Sequence, residues 1–284
     1  MLRAVLIPLI LAVFGPAALA QTAAPGSGPD ISPELGALFD AVGMDENFEI
    51  LAEIGLADAV ELEDSMFPGR GGAAWRAILT GFYQPEPLQA RFTQAFPADR
   101  MSREEMTAVT AFYRTDLGQR IVAGELSAWR AISDAASEEA ANAAYFQLLE
   151  ENSPRLALLS EFIEVNGFVD LNVSGALNSN FAFYRGLSDA GAYEQALPPA
   201  MMLNEVWAQE PEIRRETVLW LYSFQLMAYQ GLSDAEIETY VAFSQTPAAQ
   251  AYNAALFIGF DMVFETMSYQ LGSAAALFMS GERL

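Results

Sequence analysis

The chain contains no cysteine, no histidine and no lysine, and each absence closes off chemistry. Without thiols there are no disulfides and no redox-active cysteine. Without imidazole, neither Ser-His-Asp nor Cys-His nucleophilic catalysis can be assembled from these residues. Zinc sites built on Cys or His, and haem ligation by either side chain, fall away for the same reason. Stability has to come from packing, which 284 residues are enough to supply.

Positive charge is scarce. All 14 basic residues are arginine, set against 37 acids, for a formal net charge of −23. A field of that sign repels phosphate backbones and anionic lipid surfaces, so no nucleic-acid partner is expected. The acidity reads as a solubility device rather than a cation-binding one. Apolar runs of membrane-spanning length are also missing. The most apolar stretch, residues 251–279, carries Asp261 and Glu265 in its middle. A carboxylate at a bilayer centre costs about 2.5–3.5 kcal/mol. A buried core helix is the lower-energy state, and the chain is not expected to be an integral membrane protein. With 52% hydrophobic residues, most of it must fold.

What is present begins with MLRAVLIPLILAVFGPAALA-Q. Arg3 precedes an apolar run from Ala4 to Phe14, Gly15 and Pro16 break it, and Ala18-Leu19-Ala20 offers the small residues a signal peptidase reads. The run is shorter than the roughly 20 residues a membrane anchor requires. Residues 1–20 are therefore expected to be a secretory signal cleaved after Ala20, which makes the product periplasmic. Residues 21–31, rich in Pro, Gly and Ser, read as a flexible spacer.

From Ser32-Pro33 onward the periodicity is helical, with no alternating strand pattern. The most informative feature is an internal repeat. Met101–Val122 aligns without gaps on Leu232–Asn253, at an offset of 131 residues. Ser102 and Ser233, each with a glutamate three residues on, predict capping boxes. Met101 with Met106, and Leu232 with Ile237, fit hydrophobic staples. Thr115 and Thr246 predict the N-caps of a following helix. Helices are expected at 88–96 and 216–229 ahead of the two motifs. The proline-free stretches 117–152 and 248–280 each predict one long helix or two broken at a glycine. Ser153-Pro154 resets the chain as Ser32-Pro33 starts it. The fold class is therefore all-α, a multi-helix bundle built from two sequence-related halves, 32–152 and 153–284. Whether they share a core stays open.

Ser102–Val122 resembles the signature of an exported bacterial family known as domain of unknown function twenty fifty-nine, with a degenerate second copy at Ser233–Asn253. The resemblance rests on the capped polar start, Phe112-Tyr113, Thr115 and Gly118-Gln119. Copy one has Asp116 where proline is common. Copy two keeps Thr246-Pro247 and Gln250 but has Ser244 for the tyrosine and Ala249 for the glycine. The resemblance implies an all-helical fold and an envelope location. It brings no catalytic residues.

Several constellations offer chemistry, and each has a plainer reading. Asp45–Asp64 is dense in acids, with Glu46, Glu49 and Glu53 on one helical face. Calcium would need six to eight converging oxygens, and the opposite face of Phe48, Leu51 and Ile54 favours a solvated helix side. The glycine-rich Pro68–Gly72 could hold an anion on its amides, yet no Lys-Ser/Thr follows it. Asp261 and Glu265 are acidic candidates, read first as one exposed stripe of an apolar helix. Tyr113, Trp129, Trp207, Trp220 and Tyr222 could line an apolar groove, with core packing as the default.

The candidate interaction or structural motif is Phe112, Tyr113, Arg114, Gly118, Gln119, Phe243 and Gln250. No catalytic, metal or cofactor-binding residue is assigned, and no cofactor is expected. The leading function is a non-enzymatic periplasmic protein that binds an envelope protein partner or a small apolar ligand. The alternative is a carboxylate-dependent hydrolase or lyase acting on an envelope glycan, a chemistry that needs neither His nor Cys.

Overall fold

The computed structural model describes residues 31–279. The expected signal segment, 1–20, and the expected spacer, 21–31, apart from Ile31, lie outside the described residues. Thirteen α-helices and one short 3-10 turn, Ala98–Arg100, make up the described elements, and no strand occurs among them. The protein is all-α, as the periodicity predicts.

The first seven helices are α1 (Pro33–Ala41), α2 (Met44–Met66), α3 (Gly72–Phe82), α4 (Pro85–Ala95), α5 (Arg103–Tyr113), α6 (Asp116–Ile132) and α7 (Ala135–Glu150). The rest are α8 (Pro154–Asn166), α9 (Phe168–Asp189), α10 (Pro199–Trp207), α11 (Glu210–Ala228), α12 (Asp234–Ser244) and α13 (Pro247–Met279). Local signals set many of these boundaries. The hydroxyl of Ser32 accepts from the Leu35 amide at 3.1 Å, and Pro33 follows as the first helical residue. Gly43 (φ 58°) and Gly167 (φ 65°) turn α1 into α2 and α8 into α9 through the left-handed region, which glycine enters without strain.

An order of six helices recurs. A helix opened by Ser-Pro ends at a left-handed glycine; then come a long helix, a short one, the helix before the capped motif, the capped helix, and the helix after it. The order runs α1 to α6 and again α8 to α13, with α7 between. The packing crosses over. α4 lies against α13, and α11 lies against α6. α1 packs on α5 and α8 on α12, each contact carrying an ion pair of opposite sense. Glu34 of α1 meets Arg103 at 3.2 Å, and Arg155 of α8 meets Asp234 at 2.7 Å. One contiguous hydrophobic cluster draws on both sides of residue 152. Within it Phe48 of α2, Phe92 of α4 and Phe260 of α13 form a triangle of rings, with centroids 4.6–5.5 Å apart.

α13 is the axle of the molecule: 33 residues, about 50 Å at 1.5 Å per residue. It runs parallel to α9, from Asn253 bonded to the Asn166 carbonyl through Phe257 beside Phe168 to Gly272 beside Phe183. The two backbones approach so closely that a Cβ on Gly272 would lie 2.2 Å from the Phe183 carbonyl oxygen. One on Gly186 would lie 2.2 Å from that of Tyr269.

One expectation needs correction. The stretch 117–152 does divide, but not at a glycine. It breaks at Ser133–Asp134, where the Asp134 carboxylate accepts from the Ser137 amide at 2.9 Å and caps α7. Gly124 sits inside α6, where a Cβ would meet the Ala228 carbonyl oxygen at 2.1 Å, so it serves close packing against α11. The Pro68–Gly72 segment connects α2 to α3, and its Gly71 and Gly72 amides are already bonded within the chain. Glu63 Oε1 accepts from the Gly71 and Gly72 amides at 2.9 and 3.0 Å.

Candidate functional site

The motif residues build two matching corners. Ser102 and Ser233 share one backbone conformation, φ −71°, ψ 161° and φ −73°, ψ 159°. Each donates its amide to the carboxylate three residues on, at 2.7 and 2.8 Å. Thr115 and Thr246 donate their hydroxyls to the carbonyls of Phe112 and Phe243, both at 2.7 Å. Gln119 and Gln250 reach back six residues to the carbonyls of Tyr113 and Ser244, again both at 2.7 Å. Gly118 and Ala249 occupy the tight inside of the bend. A Cβ on Gly118 would lie 2.4 Å from the Phe112 carbonyl oxygen. Where Ala249 carries one, its amide stands 3.3 Å from the threonine hydroxyl instead of 3.0 Å.

The corners meet face to face. Phe112 and Phe243 stack with centroids 3.7 Å apart and planes 2° from parallel, and Arg120 pairs with Glu236 across the junction. Arg114 and Asp116 point to solvent, whereas Tyr113 is buried, so these three do not converge. Beneath the stack lies a polar cluster that the sequence does not announce. Glu125 is 1% exposed. Its Oε1 accepts from the Tyr229 hydroxyl at 2.6 Å and, at 3.5 Å, from that of Tyr240, which itself bonds the Tyr113 hydroxyl at 3.2 Å. Glu125 Oε2 and the Tyr252 hydroxyl are buried without a partner among the described residues. Burial, only partly offset by the tyrosine hydrogen bonds, pushes the Glu125 carboxyl well above the usual carboxylate range. That environment favours the protonated form. The stripe Ile121, Glu125, Trp129 at four-residue spacing is the signal that places this acid on a buried face.

A groove opens at the far end of α6. Its cavity is about 210 Å³. Leu51, Ile54 and Gly55 of α2 form one wall and Trp220 of α11 the other, with Phe264, Met267 and Leu271 of α13 as the floor. Trp129 and Ile132, the last turns of α6, close one end, and Tyr83 lies alongside. Asp58 and Glu138 are its charged residues; no arginine lines it. Asp58 is exposed at the mouth, but the surrounding apolar wall, and then Glu61, hold its carboxyl above the usual range.

The groove exists because of the break at Ser133. In the second half the corresponding helix continues and covers α9. In the first, α6 ends at Ile132 and the chain changes direction at Ser133 into α7, so that no helix continues along the Leu51–Asp58 surface of α2 as α13 continues along α9. Of the aromatics singled out, Trp129 and Trp220 line the groove, Tyr222 stacks on Tyr145 with centroids 4.9 Å apart, and Trp207 is 63% exposed on α10.

Asp261 and Glu265 do not line the groove. They flank the exposed side of α13 beside Ile258 and Met262, and both are half-buried. Burial and then Glu265 raise the Asp261 carboxyl to about 6, and burial raises Glu265 against the lowering pull of Arg185. In the acidic segment Glu46 pairs with Arg130 at 2.5 Å. Among the described residues no group of three acids is close enough together to hold a metal ion, and no helix is long and apolar enough to cross a membrane.

No curated protein and no solved structure matches the chain. A family match does cover α5, α6 and most of α7, and so takes in the first corner, Glu125, and the groove residues Trp129, Ile132 and Glu138. Residues 88–144 match the family described as "Uncharacterized protein conserved in bacteria (DUF2059)", the family that Ser102–Val122 resembles.

Proposed function

We propose that the protein is a non-enzymatic binding protein of the bacterial cell envelope, exported with loss of residues 1–20, and that its groove holds a small apolar ligand. The observation that carries this reading is the cavity of about 210 Å³ walled by Leu51, Ile54, Trp129, Trp220, Phe264 and Leu271. Concave, mostly apolar sites with a few polar groups at the edge are where small ligands bind. The motif residues serve as framework in this reading: their hydrogen bonds lie within or between the two corners, apart from that of Gln250 to the Val165 carbonyl of α8 at 2.9 Å. We also take the recurrent six-helix order as a duplication, with halves 32–152 and 153–284.

A second reading is a carboxylate-dependent hydrolase or lyase acting on an envelope glycan. It draws support from Asp58 and Glu138 sharing one cleft. Glycan chemistry needs two carboxyls at a set spacing and hydrogen bonds to sugar hydroxyls, and the leucine, isoleucine, phenylalanine and methionine walls supply few of the latter.

The test is titration with the neutral dye N-phenyl-1-naphthylamine, read by energy transfer from tryptophan. Saturable binding is expected, with transfer reduced in Trp220→Ala. Ile132→Trp, which fills the cavity, should abolish binding while keeping the thermal transition. Binding that survives Ile132→Trp in a folded protein puts the dye elsewhere and removes the groove from the function. Intact mass of the secreted protein should begin at Gln21.

A further inference from the structure

We propose that the groove selects a small apolar cation, an aliphatic or aromatic amine or quaternary ammonium, with its charged end at Asp58 and Glu138 and its apolar body against Trp129 and Trp220. This rests on the groove being the ligand site and specifies its chemistry. The lining holds two carboxylates and no basic residue. Seven ion pairs occur among the described residues, and neither Asp58 nor Glu138 takes part in one. Thus the acids of the groove mouth stay uncompensated where Glu34, Glu46, Asp170, Glu210, Glu212 and others each have an arginine.

Three further features favour a positive guest. Burial against the apolar wall and the neighbouring Glu61 both disfavour the ionised form of Asp58, and a cation bound there relieves both. The rings of Tyr83, Trp129 and Trp220 line the groove, and aromatic rings attract ammonium groups most strongly when water is displaced. Finally, the net charge of −23 draws cations toward the protein and turns anionic amphiphiles away. A neutral lipid gains only the apolar walls, and an anion is opposed at the mouth.

The experiment compares octyltrimethylammonium, octanol and octyl sulfate, each below its aggregation concentration and at physiological salt, by tryptophan fluorescence and calorimetry. The ammonium should bind at least tenfold more tightly than octanol, and octyl sulfate should not saturate. Asp58→Asn with Glu138→Gln should bring the ammonium close to octanol while leaving octanol binding unchanged. Thermal unfolding checks that this variant is folded. Equal binding of all three probes overturns the cation inference and leaves the groove as an apolar site. A preference for the ammonium that persists in the double variant also overturns it, since the selectivity then comes from overall charge. Failure of every probe to bind overturns the groove reading itself.

Discussion

Glu125 shows how much one side chain can decide. Burial outweighs the hydrogen bonds from Tyr229 and Tyr240, so folding raises the affinity of its carboxyl for a proton. In the unfolded chain it regains an ordinary carboxylate range. The folded state therefore binds the extra proton, and this group's contribution to stability is full below about pH 4 and declines as pH rises. Glu125→Gln, which keeps an acceptor for Tyr229, is expected to unfold at higher urea than the parent at pH 8 and at nearly the same urea at pH 4. A constant difference between the two across that range would rule out the neutral carboxyl. The paired serines make a finer prediction. The Ser102 hydroxyl accepts from the Glu105 amide at 3.2 Å, whereas the Glu236 amide reaches the Ser233 carbonyl at 3.0 Å. Ser102→Ala should cost about 0.5–2 kcal/mol and Ser233→Ala less, as read by urea denaturation.

Among elements, the α9–α13 pair depends on missing side chains. Gly272→Ala inserts a methyl 2.2 Å from a carbonyl oxygen and forces two long helices apart. A loss of about 1–3 kcal/mol is expected from such overpacking. Gly81, inside α3, provides the contrast, because a methyl there would meet nothing within 4 Å. Gly81→Ala should stabilise by about 0.4–1 kcal/mol through the unfolded chain. Thermal midpoints moving in the same direction for both would mean that helix propensity, not close approach, governs these glycines. Signals that act within one turn are legible in sequence: Ser32-Pro33, Ser153-Pro154, the capping serines and the threonine corners all stand where the residues predict. Asp134 is equally legible as a cap, yet glycine is the more familiar breaker, and Gly124 lies inside a continuous helix. The groove is not legible, because residues from 51 to 271 meet there only through the crossing of five helices. Its acids look like ordinary solvated charges until their neighbours are known.

For the whole molecule, the crossed packing means that neither half is complete by itself. Residues 32–152 alone leave α4 without α13, α6 without α11 and Glu125 without Tyr229 and Tyr240. The isolated segment is expected to show no cooperative thermal transition by circular dichroism, and mixing it with 153–284 should restore one. A sharp transition in 32–152 by itself would show that the crossed contacts are dispensable. The same crossing bears on how many ligands a chain can take. Two identical halves would offer matching grooves or none. Here the helix that ends at Ile132 leaves α2 open, while its counterpart runs on to Met279 and seals α9. If the groove holds the ligand proposed for it, this asymmetry sets the stoichiometry at one guest per chain at this position, with α11 and α13 supplying the wall and floor.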